Sequence, residues 1–288
     1  MGQAVPDLRI STRNARFQQW QALLGKAAKR QRAREFLVQG VRPITLAAEF
    51  GWRFRALIYD DQRRLSGWAS GLLAGTAAPR VAMAPELLAE LGEKDSRAPE
   101  LVAVVEMPAD DLGRITAGQD FLGVVFDRPA SPGNLGSVIR SADAFGASGV
   151  MVTGHAADVY DPRCVRASTG SLFALPVVRA GSPREPAAWL AGQRAAGCPI
   201  VVAAADERGG RAVSGFDLTR PTLLLLGTEA TGLSSAWREL ADETVAIPMS
   251  GAASSLNAAN AATVLLYEAA RQRREKTGPA DRERNQAP

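Results

Sequence analysis

The chain has 288 residues, 46% of them hydrophobic, enough to bury the cores of two domains. No run of about 18 apolar residues occurs, and the opening stretch MGQAVPDLRISTRN has no apolar signal core, so neither membrane spanning nor secretion is expected and a cytoplasmic protein is predicted. Two cysteines, Cys164 and Cys198, and a lone histidine, His155, leave no disulfide framework, no metal-ligand spacing and no histidine-based triad.

Positive charge is segregated. Residues 1–64 carry 13 Lys+Arg against 5 Asp+Glu, whereas residues 116–270 carry 11 against 14. The tail 271–288 returns to 6 against 3. Eight basic residues with no acid among them, Arg9, Arg13, Arg16, Lys26, Lys29, Arg30, Arg32 and Arg34, mark a phosphate-backbone binder. A solvated helix face and a codon bias toward arginine are the competing readings. The bias accounts for 30 Arg against 4 Lys but not for the segregation.

In chain order, residues 13–34 read as one amphipathic helix with Phe17, Trp20, Leu23 and Leu24 on one side. FLVQG is a strand, RPITLAAEFGW a helix with Pro43 near its start, and RALIYD a strand. PRVAMAP leads into the helix PELLAEL, and ELVAVVEMP closes an α/β domain assigned to residues 1–112. The Pro-, Gly- and acid-rich stretch 107–120 reads as a linker.

The second domain, 119–274, alternates strands and helices. FLGVVFD precedes the helix PGNLGSVIRSADAFG, GVMVTG is a strand, and VRASTGSLFALPVVR holds a helical turn and a strand. PREPAAWLAGQRAAG, PIVVAAA, PTLLLLG, GLSSAWREL and ETVAIPM continue the alternation up to the last helix, 255–274. Strands apolar on both faces predict a parallel sheet flanked by helices. Residues 275–288 read as a disordered tail.

Ligands of such sheets collect at the C-terminal strand ends, and three loops there are unusual. After the first strand, Asn134 enters a helix that carries Arg140 six residues on, in a small apolar stretch where Asp143 is its bland partner. After PTLLLLG come Gly227, Thr228 and Glu229, a carboxylate beside a buried strand that needs a partner or a task. After Ile247 and Met249 comes a loop of small residues, then Ser255, Leu256 and Asn257 at a helix entrance, where capping is the plain alternative. No G-x-G-x-x-G fingerprint and no P-loop is present, which counts against a nucleotide-dependent oxidoreductase.

The order N-L-x-x-x-x-R, L-L-G-x-E-x-x-G-L and I-P-M-x-x-x-x-x-S-L-N resembles the SpoU-type branch of the SPOUT methyltransferases, over residues 121–273. REFLVQG is similar to the start of that family's RNA-binding domain, a small ribosomal-protein fold, and RASTGSLFALPV to its middle segment. The resemblance implies an α/β fold whose parallel sheet carries a deep trefoil knot. It also implies S-adenosylmethionine-dependent methylation of a ribose 2′-oxygen, with structured large-subunit ribosomal RNA as substrate, a homodimer, and no metal. It assigns Arg140, Asn134, Glu229, Ser255 and Asn257 to catalysis, and Gly227, Thr228, Ile247, Met249 and Leu256 to the donor. Arg140 is either a base or an electrostatic stabiliser. The charge layout further suggests the antibiotic-resistance branch of avilamycin and thiostrepton type. A transfer-RNA methyltransferase and a non-catalytic RNA-binding protein on the same fold are the alternatives.

Overall fold

The computed structural model describes residues 7–92, 98–207, 209–228 and 231–277. Two compact units are present: Met1–Ala109 with Asp158–Ala174, and Asp110–Ala157 with Leu175–Pro288. The first run contains β1 (Leu8–Ile10), α1 (Ala15–Gly25), α2 (Ala27–Ala33), β2 (Glu35–Gln39), α3 (Val41–Glu49) and β3 (Phe54–Asp60). It continues with α4 (Gly67–Gly75), β4 (Arg80–Met83), α5 (Pro85–Leu91) and β5 (Leu101–Glu106). Next come β6 (Leu122–Asp127), α6 (Pro132–Ala144), β7 (Gly149–Thr153), α7 (Pro162–Ser168), α8 (Ser171–Ala174), β8 (Val177–Ala180) and α9 (Arg184–Ala195). The chain ends with β9 (Val201–Ala205), β10 (Arg211–Ala212), β11 (Thr222–Leu226), α10 (Ser235–Leu240), β12 (Glu243–Ala246) and α11 (Ala258–Thr277).

In the first unit the sheet order is β1-β4-β3-β5-β2, with β5 antiparallel to both neighbours. Alternation along β2 sends Leu37 into a core with Phe17, Trp20 and Leu23 of α1 and Leu87, Leu88 and Leu91 of α5. Phe36 points the other way and meets Tyr160 at 4.7 Å and Phe173 at 6.2 Å, ring centre to ring centre. The Trp52 indole lies edge-on to Phe173 at 5.1 Å and donates to the Phe173 carbonyl at 2.9 Å. The segment containing α7 and α8 therefore completes this unit's second core face.

Burying a large apolar side chain contributes about 1.5–3 kcal/mol. A fragment ending at Ala109 is accordingly expected to unfold at a much lower urea midpoint than this unit in the intact chain. An intact-like midpoint for the bare fragment would contradict that account.

The expected helix over 13–34 is two helices, broken at Lys26, which is extended at φ −123°, ψ 101°. The break frees carbonyls that Arg30 recovers: its Nη1 donates to Leu23 O at 2.5 Å and Leu24 O at 3.3 Å. Helix α4, unforeseen because three glycines dilute its pattern, is started by Ser66, whose hydroxyl accepts from Ala69 N at 3.2 Å.

The second unit is a parallel seven-stranded sheet ordered β10-β12-β9-β11-β6-β7-β8, with short strand β10 added to the expected set. Chain order reverses between β11 and β6, the place where ligands gather in open parallel sheets. Helix α11 starts at Ala258, three residues after its expected start, because Asn257 is its cap: Oδ1 accepts from Ala259 N at 3.0 Å. It runs to Thr277, so residues 275–277, expected in the disordered tail, are helical; residues 278–288 lie outside the described residues. Arg273 anchors α11 by donating to the carbonyls of Leu218, Asp120, Phe121 and Arg220 at 2.5–3.0 Å.

Candidate functional site

The loop after β11 folds back on itself. Thr228 N donates to Gly232 O at 3.2 Å and Gly232 N to Thr228 O at 2.9 Å, with Gly232 at φ +61°. Its foot is tied to β6. Asp127, 1% exposed, accepts from Thr153 Oγ1 at 3.0 Å, Ser234 N at 2.8 Å and Arg128 Nε at 3.1 Å. Arg128, held at φ +53°, also donates from Nη2 to Gly232 O at 3.0 Å. Trp237 Nε1 closes the network on Thr153 Oγ1 at 3.1 Å. A buried carboxylate is tolerated when its lone pairs are used in this way.

This loop, the C-terminal end of β9 and the segment from β12 to α11 enclose a cavity of about 430 Å³. Gly227, Thr228, Ile247, Met249, Leu256 and Ser255 all line it. The volume lies in the range of about 300–1,000 Å³ usual for cofactor-sized ligands. Asp206 and Glu207 give one wall acidic character, and Arg238 also lines the cavity while donating to Leu233 O at 3.0 and 2.7 Å. The sequence reading missed these three. Asp206 and Glu207 follow the apolar strand VVAAA directly, so the strand-end rule that selected the other loops would have found them.

Asn134, Arg140 and Asn257 are not part of the described lining. Ser131 caps α6, its hydroxyl accepting from Asn134 N at 3.3 Å, with Pro132 in the first turn. Asn257 Nδ2 donates to Asn134 Oδ1 at 3.4 Å, joining the entrances of α6 and α11. Arg140 is exposed on α6 and makes no ion pair or hydrogen bond among the described residues, so the bland pairing with Asp143 is not made. Glu229 lies outside the described residues.

Of the eight basic residues, Arg30 is a correction. It is 2% exposed and ion-paired to Asp158 at 2.7 Å, so its guanidinium serves the core of its unit rather than RNA. Arg34, half-buried, donates to the carbonyls of Met107 and Pro108. Arg9 and Arg13 pair with Asp61 and Glu90 at the surface. Arg16, Lys26, Lys29 and Arg32 are exposed. Among the described residues no group of three or more His, Cys, Asp or Glu could hold a metal ion.

A parallel sheet whose loops at the chain reversal enclose a cofactor-sized cavity, without a phosphate-binding glycine fingerprint, defines an α/β protein of the kind that holds its ligand at the C-terminal strand ends. The profile of the SpoU rRNA Methylase family matches residues 122–267, that of the SpoU L30e-like domain matches residues 14–103, and the chain belongs to the SpoU rRNA methylase family. It is similar to the 23S rRNA (uridine(2479)-2′-O)-methyltransferase of Streptomyces viridochromogenes, 66% identical over 265 residues and 92% of each chain. Its structure is similar to that of the SpoU methyltransferase AviRb from the same organism in complex with AdoMet, with TM-score 0.88 and 66% identity, covering 91% of this chain and 98% of that one. It is also similar to the AdoMet-bound rRNA methyltransferase from Sinorhizobium meliloti, with TM-score 0.80 and 28% identity over 92% and 98% of the two chains.

Proposed function

We propose that this chain transfers a methyl group from S-adenosylmethionine to the 2′-oxygen of a uridine ribose in 23S ribosomal RNA. The observation that carries the reading is one cavity lined by Gly227, Thr228, Ile247, Met249, Leu256 and Ser255, in a chain 66% identical to a 23S rRNA uridine 2′-O-methyltransferase. When bound, the donor supplies a methyl group on a positively charged sulfur. The cavity fits it: small residues let main-chain groups approach, and Asp206 and Glu207 favour a cation. The reading includes the deep trefoil knot, with the 227–234 and 247–257 loops wrapped around the donor.

In the reaction the 2′-oxygen gains the methyl carbon as the sulfur–carbon bond breaks, and the hydroxyl proton is released. The role given to Arg140 is electrostatic: its guanidinium stabilises negative charge developing on the 2′-oxygen and holds the adjacent phosphate. The linked Asn134 and Asn257 amides offer hydrogen bonds that orient the ribose. In one chain Arg140 lies outside the cavity lining, on a helix packed against α11, where Val264 and Tyr267 are exposed. A homodimer that covers this face and brings Arg140 to the cavity of a second copy is part of the proposal. No described helix is long and apolar enough to cross a membrane, and the cytoplasm is where a ribosomal RNA substrate would be met.

Transfer of labelled methyl to 23S rRNA and to transfer RNA in separate reactions tests the proposal. 2′-O-methyluridine in 23S rRNA is expected; label confined to transfer RNA would move the substrate, and label in neither, with donor bound, would leave an RNA-binding protein. Arg140→Ala is expected to lower turnover by about 10²–10³-fold with donor affinity nearly unchanged, and unimpaired turnover would remove its role. By resemblance the mark also lowers sensitivity to a large-subunit antibiotic; unchanged growth inhibition of an expressing strain would refute that part alone.

A further inference from the structure

The eight basic residues between Arg9 and Arg34 fall into two sets. Arg9, Arg13, Arg30 and Arg34 are occupied by Asp61, Glu90, Asp158 and the Pro108 carbonyl. The side chains of Arg16, Lys26, Lys29 and Arg32 make no ion pair or hydrogen bond among the described residues.

Three of the four line one groove. The break at Lys26 puts α1 and α2 on opposite sides of a depression of about 660 Å³, with Arg16, Gln18 and Gln19 on one wall and Lys29 and Arg32 on the other. The Arg16 guanidinium carbon lies 5.7 Å from the centre of the Trp20 ring. Stacked there, it is held in place with its N–H edges still able to donate. Glu35 also lines the groove, at the start of β2. Its nearest charged neighbours include Arg16 and Arg55, which offset it, and its cross-strand partner Glu106 is bridged by Arg55 at 3.0 Å and Arg53 at 3.5 Å.

We propose that the groove between α1 and α2 is a docking site for the phosphodiester backbone of structured RNA, with Arg16, Lys29 and Arg32 as phosphate ligands and Gln18 and Gln19 as neutral donors beside them. This rests on the RNA-methyltransferase reading and gives it a contact surface. The cations are spread over two helices instead of converging on one point, which suits successive phosphates better than a single small anion. Trp20 is 3% exposed and is covered by Arg16, so no aromatic face is offered to a base. The contact is to backbone and independent of sequence, and choice of nucleotide must come from elsewhere.

The test is the affinity for deproteinised 23S rRNA as a function of salt, measured on the full chain. The triple variant Arg16→Gln, Lys29→Gln, Arg32→Gln is expected to bind roughly ten- to a hundredfold more weakly at about 0.1 M salt, and its slope of log K against log salt to fall by about two. The double variant Arg9→Gln, Arg13→Gln removes charges already paired and is expected to change the slope far less. An unchanged slope in a folded triple variant overturns the proposal. If the triple variant fails to fold, acetylation of Lys29 in the wild-type chain decides: protection by bound RNA is expected, and equal labelling with and without RNA overturns it. Methyl transfer is scored separately, so loss of the enzymatic reading leaves the salt slope readable, and the reverse also holds.

Discussion

The Gly227→Ala variant is expected to lose donor binding. A Cβ at this position would sit 2.2 Å from the Gly232 carbonyl carbon and 2.4 Å from Leu233 N. Both are backbone atoms, so no side-chain rotamer relieves the clash. The loop cannot swing away cheaply, because the Gly232 carbonyl accepts from Thr228 N and Arg128, and Ser234 N is held by buried Asp127. Calorimetry with S-adenosylmethionine should record a loss of affinity of about tenfold or more, about 1.4 kcal/mol, together with a lower melting temperature. Gly251→Ala, in the small-residue loop before α11, is the contrast: nothing lies within 4 Å of its Cβ, and near-wild-type binding is expected. Equal effects at the two glycines would show that close backbone approach is not what the site requires at Gly227.

Arg30→Ala is expected to lower stability by about 3–5 kcal/mol, because it leaves a buried carboxylate without its partner. Asp158 is 9% exposed and receives Arg30 Nε at 2.7 Å, while Leu23 O and Leu24 O lose their donor as well. The pair stitches α2 to the segment that covers Phe36 and Trp52, so the loss should appear as a lower urea midpoint for the first unit. Arg32→Ala, in the same last turn of α2 but exposed, should stay within about 0.5 kcal/mol of wild type. A stable Arg30→Ala protein with weakened RNA binding would reverse the assignment and return Arg30 to the RNA-facing set.

The periodic apolar runs made most of the fold legible. FLGVVFD, GVMVTG and PTLLLLG are buried strands of a parallel sheet as expected, because a strand covered on both faces carries an unbroken apolar pattern. Helix α4 and strands β1 and β10 escaped because their local signals are short or diluted by glycine. Of the candidate site, the loop positions were legible from the rule that ligands gather at C-terminal strand ends. The acidic wall of Asp206 and Glu207 follows the same rule but lies after a strand that carried no motif.

By itself the sequence determined the class of fold, the location of the three loops, and the segregation of charge toward the N-terminus, since each depends on residues near one another in the chain. Only the tertiary structure decided which charges are available. Arg30 and Arg32 are two residues apart and chemically alike, yet one is sealed against Asp158, 128 positions away, and the other faces a groove. It also decided that Asp158–Ala174 completes the first unit, and that Gly227 must be glycine because residues 232–233 return across it. The physical reason is common to all three: burial, ion pairing and backbone clearance are set by contacts between distant parts of the chain, and no local pattern records them.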